Sequence, residues 1–189
     1  VEEISQELFE QIKNLKANVM IEQIGNNLEK YKWISIKLVP DKKDIKNDLA
    51  IFELEEKTDL LKSLVLGDSE KVETGQDVYF MGFPYAAQLI NDGFGLTLIT
   101  NRGIISTIKR DGTDPEFKRN WFIIDAISNP GNSGCPLIDI ETNQVIGVMT
   151  ISFRTPSRVF KEVTSKDLDI REPMHIAGAK PINLVKELL

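Results

Sequence analysis

Residues Asp125–Ile138 read DAISNPGNSGCPLI and place a serine, Ser133, inside a frame of glycine and proline. A proline and a glycine come shortly before this serine, and Gly134 and Pro136 come shortly after it. Glycine permits backbone angles that other residues resist, whereas proline fixes φ and removes a hydrogen-bond donor, so together they prescribe a particular turn. The pattern predicts that Ser133 either caps this turn or is held by it in a fixed direction.

A nucleophilic serine needs an exposed hydroxyl on a tight turn, backbone amides directed at the developing oxyanion, and a base that takes its proton. The segment Gly131-Asn132-Ser133 can supply the first two, with the amides of Gly131 and Ser133 as the anion-binding pair. The alternative for Ser133 is an ordinary turn or capping serine. A cysteine nucleophile at Cys135 is a weaker hypothesis, because this residue lies two positions past the turn apex and nothing nearby would lower the pKa of its thiol.

The composition is that of an acidic globular chain. Of the 189 residues, 41% are hydrophobic and 28% are charged, and no apolar run is long enough to cross a bilayer, so no membrane span is predicted. The formal net charge is -6. A general nucleic-acid binder needs a basic surface that contacts phosphates, so nucleic acid is not predicted as a partner.

The sequence contains a single cysteine, Cys135, and a single histidine, His175. One cysteine excludes an intrachain disulfide framework and favours a reducing compartment such as the cytoplasm. Histidines and cysteines do not cluster at the spacing that metal ligands need, so no metal site is predicted, and no cofactor is expected.

Short runs rich in β-branched and aromatic residues, separated by glycine, proline and asparagine, dominate the chain. They predict strands at 19–24, 33–39, 49–54, 78–81, 96–100, 103–108, 121–124, 136–140, 145–151 and 175–181. Strands at this spacing are typical of an all-β sandwich or barrel. Helices are predicted over Ile4–Ala17 and after Pro181, and a polar surface loop over Arg154–Pro173. A charged connector separates two predicted domains, residues 1–66 and 67–189.

The run Asp125–Leu137, followed by Val-Ile-Gly-Val at 145–148, resembles the nucleophile region of the chymotrypsin-fold serine peptidases, especially the bacterial HtrA-like branch. The stretch Lys46–Leu54, KNDLAIFEL, is similar to the strand that carries the catalytic aspartate in that family. Further similarities cover Gly82–Pro84 and Asn101–Ser106, and all of them occur in the order of the family.

The resemblance implies two antiparallel β-barrels of the chymotrypsin type and hydrolysis of a peptide or protein substrate without a cofactor. Ser133 would be the nucleophile and Asp48 the acid that orients the base, with the amides of Gly131 and Ser133 as the oxyanion hole. Residues near the specificity pocket would be Ile127, Ser128, Thr150, Ile151 and Ser152, with His175 as a further candidate. No acidic residue is placed at the base of this pocket, so a small or apolar substrate side chain is expected.

The sequence departs from the family at the base, because no histidine precedes Asp48. Val1-Glu-Glu-Ile4 resembles the residues that follow the family's histidine, so we expect the sequence to begin just after it and the N-terminal barrel to be incomplete. Loss of this histidine costs about a millionfold in turnover, so these residues alone are expected to be inactive. Two alternatives follow: His175 serves as the base, or the domain is a catalytically inactive module that binds peptides or proteins.

Overall fold

The computed structural model describes residues 17–25, 28–56, 63–110, 120–156 and 171–189. These residues form nine strands and two short α-helices. In this part of the chain, no helix combines the length and the apolar character that a membrane span requires. The chain divides into two compact units, one that runs to Leu64 and includes Val185–Leu189, and one over Val65–Leu184.

The first unit contains a three-stranded antiparallel sheet in the order β1-β2-β3. Its strands are β1 (Ala17–Gly25), β2 (Leu28–Asp44) and β3 (Leu49–Leu54). The pairing of β2 with β3 shifts register between Leu38 and Lys43. Ile34, Leu38 and Leu49 are buried, so the sheet has an apolar face, and a tight turn over residues 45–48 joins β2 to β3.

The second unit is a closed six-stranded barrel in the order β4-β5-β6-β9-β8-β7. Its strands are β4 (Asp77–Gly82), β5 (Ile99–Lys109), β6 (Trp121–Asp125), β7 (Pro136–Asp139), β8 (Val145–Pro156) and β9 (Arg171–Pro181). Helix α1 (Ala86–Asn91) lies between β4 and β5, and helix α2 (Ile182–Lys186) follows β9. Each pair of neighbouring barrel strands is antiparallel.

Alternation of apolar residues along the strands builds the barrel core. Val78 and Phe80 of β4, and Phe122 and Ile124 of β6, are fully buried, while the residues between them are more exposed. Successive side chains of a strand point to opposite faces, so these four residues fill the interior. Each fully buried side chain of this size contributes about 1.5–3 kcal/mol relative to an exposed one.

The mainly β fold predicted from the sequence is confirmed, and the corrections concern the lengths of elements. β5 is one strand where two were predicted. Gly103 does not interrupt it, because the missing side chain lets β5 pair closely with β6. A Cβ atom at position 103 would come within 2.3 Å of the Asp125 carbonyl oxygen. The ends of the predicted loop Arg154–Pro173 are strand, since Arg154 pairs with Pro173 across β8 and β9. The predicted helix over Ile4–Ala17 lies outside the described residues except for Ala17, which begins β1.

Candidate active site

Ser133 lies on the connection between β6 and β7, within two consecutive reverse turns. The Asn132 amide donates to the Asn129 carbonyl at 3.0 Å, and the Cys135 amide donates to the Asn132 carbonyl at 3.1 Å. Hydrogen bonds between residues three apart are the mark of β-turns. Asn132 therefore belongs to both turns, and Ser133 directly follows it.

Two glycines make this backbone possible. Gly131 has a φ of 103° and Gly134 a φ of 85°. These are left-handed values that glycine adopts without the steric cost that a Cβ atom brings. The glycines predicted to prescribe the turn occupy these positive-φ positions on either side of Ser133.

The turn is fastened to the barrel on both sides. The Gly134 amide donates to the Met149 carbonyl at 2.7 Å, and the Met149 amide donates to the Cys135 carbonyl at 2.9 Å, so β8 holds the outgoing chain. The incoming chain is held at Pro130, whose carbonyl accepts from the Tyr85 amide at 3.1 Å. The nucleophile candidate is thus positioned by backbone hydrogen bonds to two separate segments.

The side chain of Ser133 is exposed, and its hydroxyl donates to the carbonyl of Thr150 at 3.1 Å. Thr150 lies on β8 at a register shift, because Met149 pairs with Ala179 while Ile151 pairs with Gly178. The shift leaves Thr150 without a partner residue across the β8–β9 ladder. Its carbonyl is therefore free to orient the hydroxyl.

The amides of Gly131 and Ser133 donate no hydrogen bond to any residue that the structure describes, whereas the amides of Asn132, Gly134 and Cys135 all do. These two amides are separated by one residue and lie beside an exposed hydroxyl, so they are a pair of free hydrogen-bond donors. Such donors can bind an anion or a developing oxyanion.

Asn132 is fully buried between these two amides. Neither its Nδ2 nor its Oδ1 has a hydrogen-bond partner in the described part of the chain. Gly82 at the end of β4 faces this side chain, because a Cβ atom at position 82 would lie 2.9 Å from Oδ1 of Asn132. An unpaired buried amide is costly and rare, so Asn132 is a residue of interest that sequence reasoning did not single out.

Cys135 occupies the position where the resembling family has glycine, and Gly82 makes room for it. A Cβ atom at position 82 would lie 2.3 Å from the Cys135 sulfur. Cys135 is half-buried against the barrel core, and this burial raises the pKa of its thiol. A thiol held protonated is a poor nucleophile, which argues against the cysteine hypothesis.

The residues predicted to form the specificity pocket lie on the loop after β6 and on β8. Ser128 is buried, whereas Ile127 is half exposed, at 50%. The Ser152 hydroxyl donates to the Ser128 carbonyl at 2.7 Å and thereby links the two segments. On the other side, the Asn101 side chain donates to the Ile127 carbonyl at 3.0 Å. The structure brings Ser128 and Ser152 together, and Asn101 is an additional supporting residue whose role the sequence did not reveal.

His175 is exposed on β9 and has a φ of 58°, which is unusual for a residue with a side chain. It lies between Pro173, which pairs with Arg154, and Ala177, which pairs with Ser152. Its imidazole is not the acceptor of the Ser133 hydroxyl, which donates to Thr150 in this structure.

Asp48 belongs to the first unit and ends the turn between β2 and β3. Its φ is 58°, its amide donates to the Ile45 carbonyl at 3.3 Å, and its side chain is exposed. The neighbouring Asn47 is buried and donates to the Asp44 carboxylate at 2.6 Å, which fixes the turn. Asp48 is therefore a solvent-facing carboxylate on a well-defined turn, directly before β3.

Comparison with known proteins gives consistent results. The trypsin-like peptidase domain family matches residues 12–148. Serine protease HTR4 of Bos taurus is 32% identical over 150 residues, which cover 75% of this chain and 29% of that protein. The probable periplasmic serine endoprotease DegP-like of Halomonas elongata is 36% identical over 135 residues, or 65% of this chain and 26% of that protein.

Among solved structures, the HtrA-type protease AlgW with decapeptide aligns with a TM-score of 0.58 and 27% identity over 84% of this chain and 40% of that chain. The chain spans about a quarter of the length of the curated relatives it matches. Since the family match covers well over half of its residues, the chain belongs to the trypsin-like peptidase domain family, and it is similar to serine proteases of the HtrA type.

Proposed function

We propose that this domain is the nucleophile-bearing part of a serine endopeptidase that cleaves peptide bonds through an acyl-enzyme on Ser133. The observation that carries the proposal is the exposed Ser133 hydroxyl beside the unpartnered amides of Gly131 and Ser133, on a turn fastened at both ends. The Ser133 oxygen would attack the substrate carbonyl, and the two amides would stabilise the oxyanion that forms.

The attack requires transfer of the hydroxyl proton to a base. The base then gives this proton to the amine that leaves as the peptide C–N bond breaks, and water hydrolyses the resulting ester on Ser133. In the resting geometry this proton is directed at the Thr150 carbonyl, which is not basic enough to take it. We propose that the base is a histidine that is not among these 189 residues and that Asp48 orients it, as in the mechanism of this peptidase class. The exposed carboxylate of Asp48, on the fixed turn before β3, supports this role.

A peptide is the proposed ligand. A structural neighbour, the HtrA-type protease AlgW, was solved with a decapeptide, which supports a peptide or protein as the substrate class. The second candidate function is a catalytically inactive module that binds peptides. The observation that favours it is that the sequence holds one histidine, His175, which does not accept the Ser133 hydroxyl.

The experiment is active-site labelling of the natural full-length protein with a fluorophosphonate probe. Covalent labelling at Ser133 is expected for the wild type and for Ser106→Ala, which removes another exposed serine, on β5. Ser133→Ala should abolish labelling while its urea unfolding midpoint stays unchanged. A wild-type protein that folds but does not react would contradict the peptidase proposal and favour the peptide-binding module.

A further inference from the structure

One wall beside the candidate nucleophile carries a polar group that is available to a ligand. Ser128 is 7% exposed, and its hydroxyl makes no hydrogen bond with the residues that the structure describes. Its backbone is fixed, because the Ser152 hydroxyl donates to the Ser128 carbonyl at 2.7 Å. The Ser128 O–H group is therefore available to donate to an acceptor that a ligand supplies.

On β8, Ile151 and Ser152 face different directions. On β8, the Ile151 side chain lies over Gly178, since a Cβ atom there would come within 2.8 Å of the Ile151 Cγ2 atom and 3.0 Å of the Trp121 ring. Successive side chains of a strand point to opposite faces. Ser152 therefore points away from the surface that Ile151 covers, and its bond to Ser128 shows which way. The Ser152 hydroxyl therefore lies on the side of β8 where the Ser128 carbonyl accepts it.

His175 lies at the edge of the same wall. In chain order, the pairing of β9 with β6 begins at Ile176, which lies opposite Asp125. The next residue, Ala177, lies opposite Ser152 of β8. His175 directly precedes this pairing. It therefore lies at the end of β6 where the chain continues toward Ser128. Its imidazole makes no hydrogen bond or ion pair with a described residue and is exposed.

The backbone of His175 is held in a conformation that a side chain disfavours, with a φ of 58°. Backbone strain of this kind persists where the surroundings impose it and is concentrated at functional sites. A glycine would satisfy the backbone at lower cost. The presence of an imidazole, exposed and unpaired, therefore points to a role for the side chain.

Both available groups are hydrogen-bond donors. The Ser128 hydroxyl and an imidazole N–H can each donate, and an ionised carboxylate only accepts, through two oxygens. Donation to a carboxylate is stronger than donation to a neutral amide oxygen, because the acceptor is charged. Two charged side chains lie on the neighbouring strands, Arg154 on β8 and Asp125 on β6, and both are exposed. Asp125 follows the inward-facing Ile124, so its carboxylate lies on the outer face of the barrel.

We propose that Ser128 and His175 form a subsite that binds an acidic substrate side chain, glutamate or aspartate, at the residue preceding the cleaved bond. This inference rests on the proposed attack by Ser133, and it replaces the small or apolar preference expected from the sequence. Ser152 contributes by holding the Ser128 carbonyl, so it is a positioning residue.

The test is cleavage by the natural full-length protein of three peptides that differ only in Glu, Gln or Val before the cleaved bond. The Glu peptide should have a kcat/KM at least about tenfold above that of the Gln peptide, the size expected for a hydrogen bond to a charged group. His175→Gly should remove most of this ratio, and glycine is chosen because it has no side-chain donor and adopts a left-handed φ without steric cost. Arg154→Gln, the matched control on β8, should preserve the ratio.

A binding measurement separates this inference from the proposed function. Isothermal titration calorimetry of the same peptides with Ser133→Ala should show tighter binding of the Glu peptide than of the Gln peptide, whether or not the wild type cleaves either. Tighter Glu binding without any cleavage by the wild type would keep the subsite and overturn the peptidase proposal. Equal Glu and Gln values in both assays, or a ratio that His175→Gly leaves intact, would overturn the subsite.

Discussion

The two glycines beside the nucleophile provide a matched pair that tests how the turn is held. Both have positive φ angles, 103° at Gly131 and 85° at Gly134. They differ in the space around them. A Cβ atom at position 131 would lie 2.6 Å from the Phe83 carbonyl oxygen and 2.9 Å from the Pro84 Cα atom, whereas nothing lies within 4 Å of a Cβ atom at position 134. Alanine at 134 therefore meets backbone strain alone, and alanine at 131 meets strain and a collision with the main chain.

The two contributions can be estimated separately. A left-handed conformation costs a residue with a side chain about 1–2 kcal/mol, which is the expected loss for Gly134→Ala. Overpacking adds about 1–3 kcal/mol, so Gly131→Ala should lose about 2–5 kcal/mol. The main chain at Phe83 cannot easily withdraw, because the nearby Tyr85 amide is bonded to the Pro130 carbonyl at 3.1 Å. The loop and its neighbour would have to move together or break this bond.

The assay is urea unfolding of both variants, with the rate of fluorophosphonate labelling as a second readout. Gly131→Ala should be less stable than Gly134→Ala by about 1–3 kcal/mol, and it should lose labelling to a greater extent, since it displaces one of the two open amides. Equal stabilities, or a larger loss for Gly134→Ala, would refute the argument that contact with Phe83 and Pro84 fixes the turn.

Three further results are expected. Gly82→Ala should destabilise the fold by about 1–3 kcal/mol in urea, since its Cβ would lie 2.3 Å from the Cys135 sulfur; Cys135→Gly should recover part of the loss, and an equal loss in both backgrounds would contradict the collision. The Cys135 thiol, whose pKa burial raises, should react with iodoacetamide more slowly in the folded protein than in urea, and equal rates would contradict this. Burial alone would raise the pKa of Asp139, but hydrogen bonds from Gln76, Thr142 and two amides lower it. The stabilisation that ionised Asp139 gives the fold is therefore fully present above the ordinary pKa of aspartate, and it is lost as the pH falls through the lower pKa of the folded protein. Asp139→Asn should flatten the acid dependence of the urea midpoint, and an unchanged dependence would contradict this prediction.

Sequence patterns predicted the strands because alternation is a local property. The run 49–54 corresponds to β3 at both ends, and buried Phe122 and Ile124 follow the period of two that the sequence shows. The lengths of β5 and β8 were not predictable in the same way. Glycine in β5 and proline at the end of β8 are local signals for a break, but Gly103 serves a close approach to β6 and Pro156 pairs with Arg171. Such contacts depend on residues distant in the sequence.

In the candidate site, too, the sequence predicted local features but not contacts between distant residues. The spacing of glycine and proline around Ser133 predicted a constrained turn, and the structure contains one. The sequence did not indicate the groups that fasten it, the Met149 carbonyl and the Tyr85 amide, because every residue carries a backbone carbonyl and almost every residue an amide. It also did not indicate that Asn132 is buried without a partner, since the letter alone does not distinguish a solvated side chain from a buried one.

Strand β8 positions both the nucleophile and the proposed subsite. Its backbone at Met149 holds the outgoing arm of the turn, its Thr150 carbonyl accepts from Ser133, and its Ser152 hydroxyl holds the Ser128 carbonyl. These contacts depend on the register shift at Thr150, which frees that carbonyl from the ladder with β9. A regular β8–β9 ladder would point the Thr150 carbonyl at β9 and reverse the direction of Ser152, because a one-residue slip exchanges the faces of a strand. The bulge is therefore the structural feature on which hydroxyl orientation and side-chain recognition both depend.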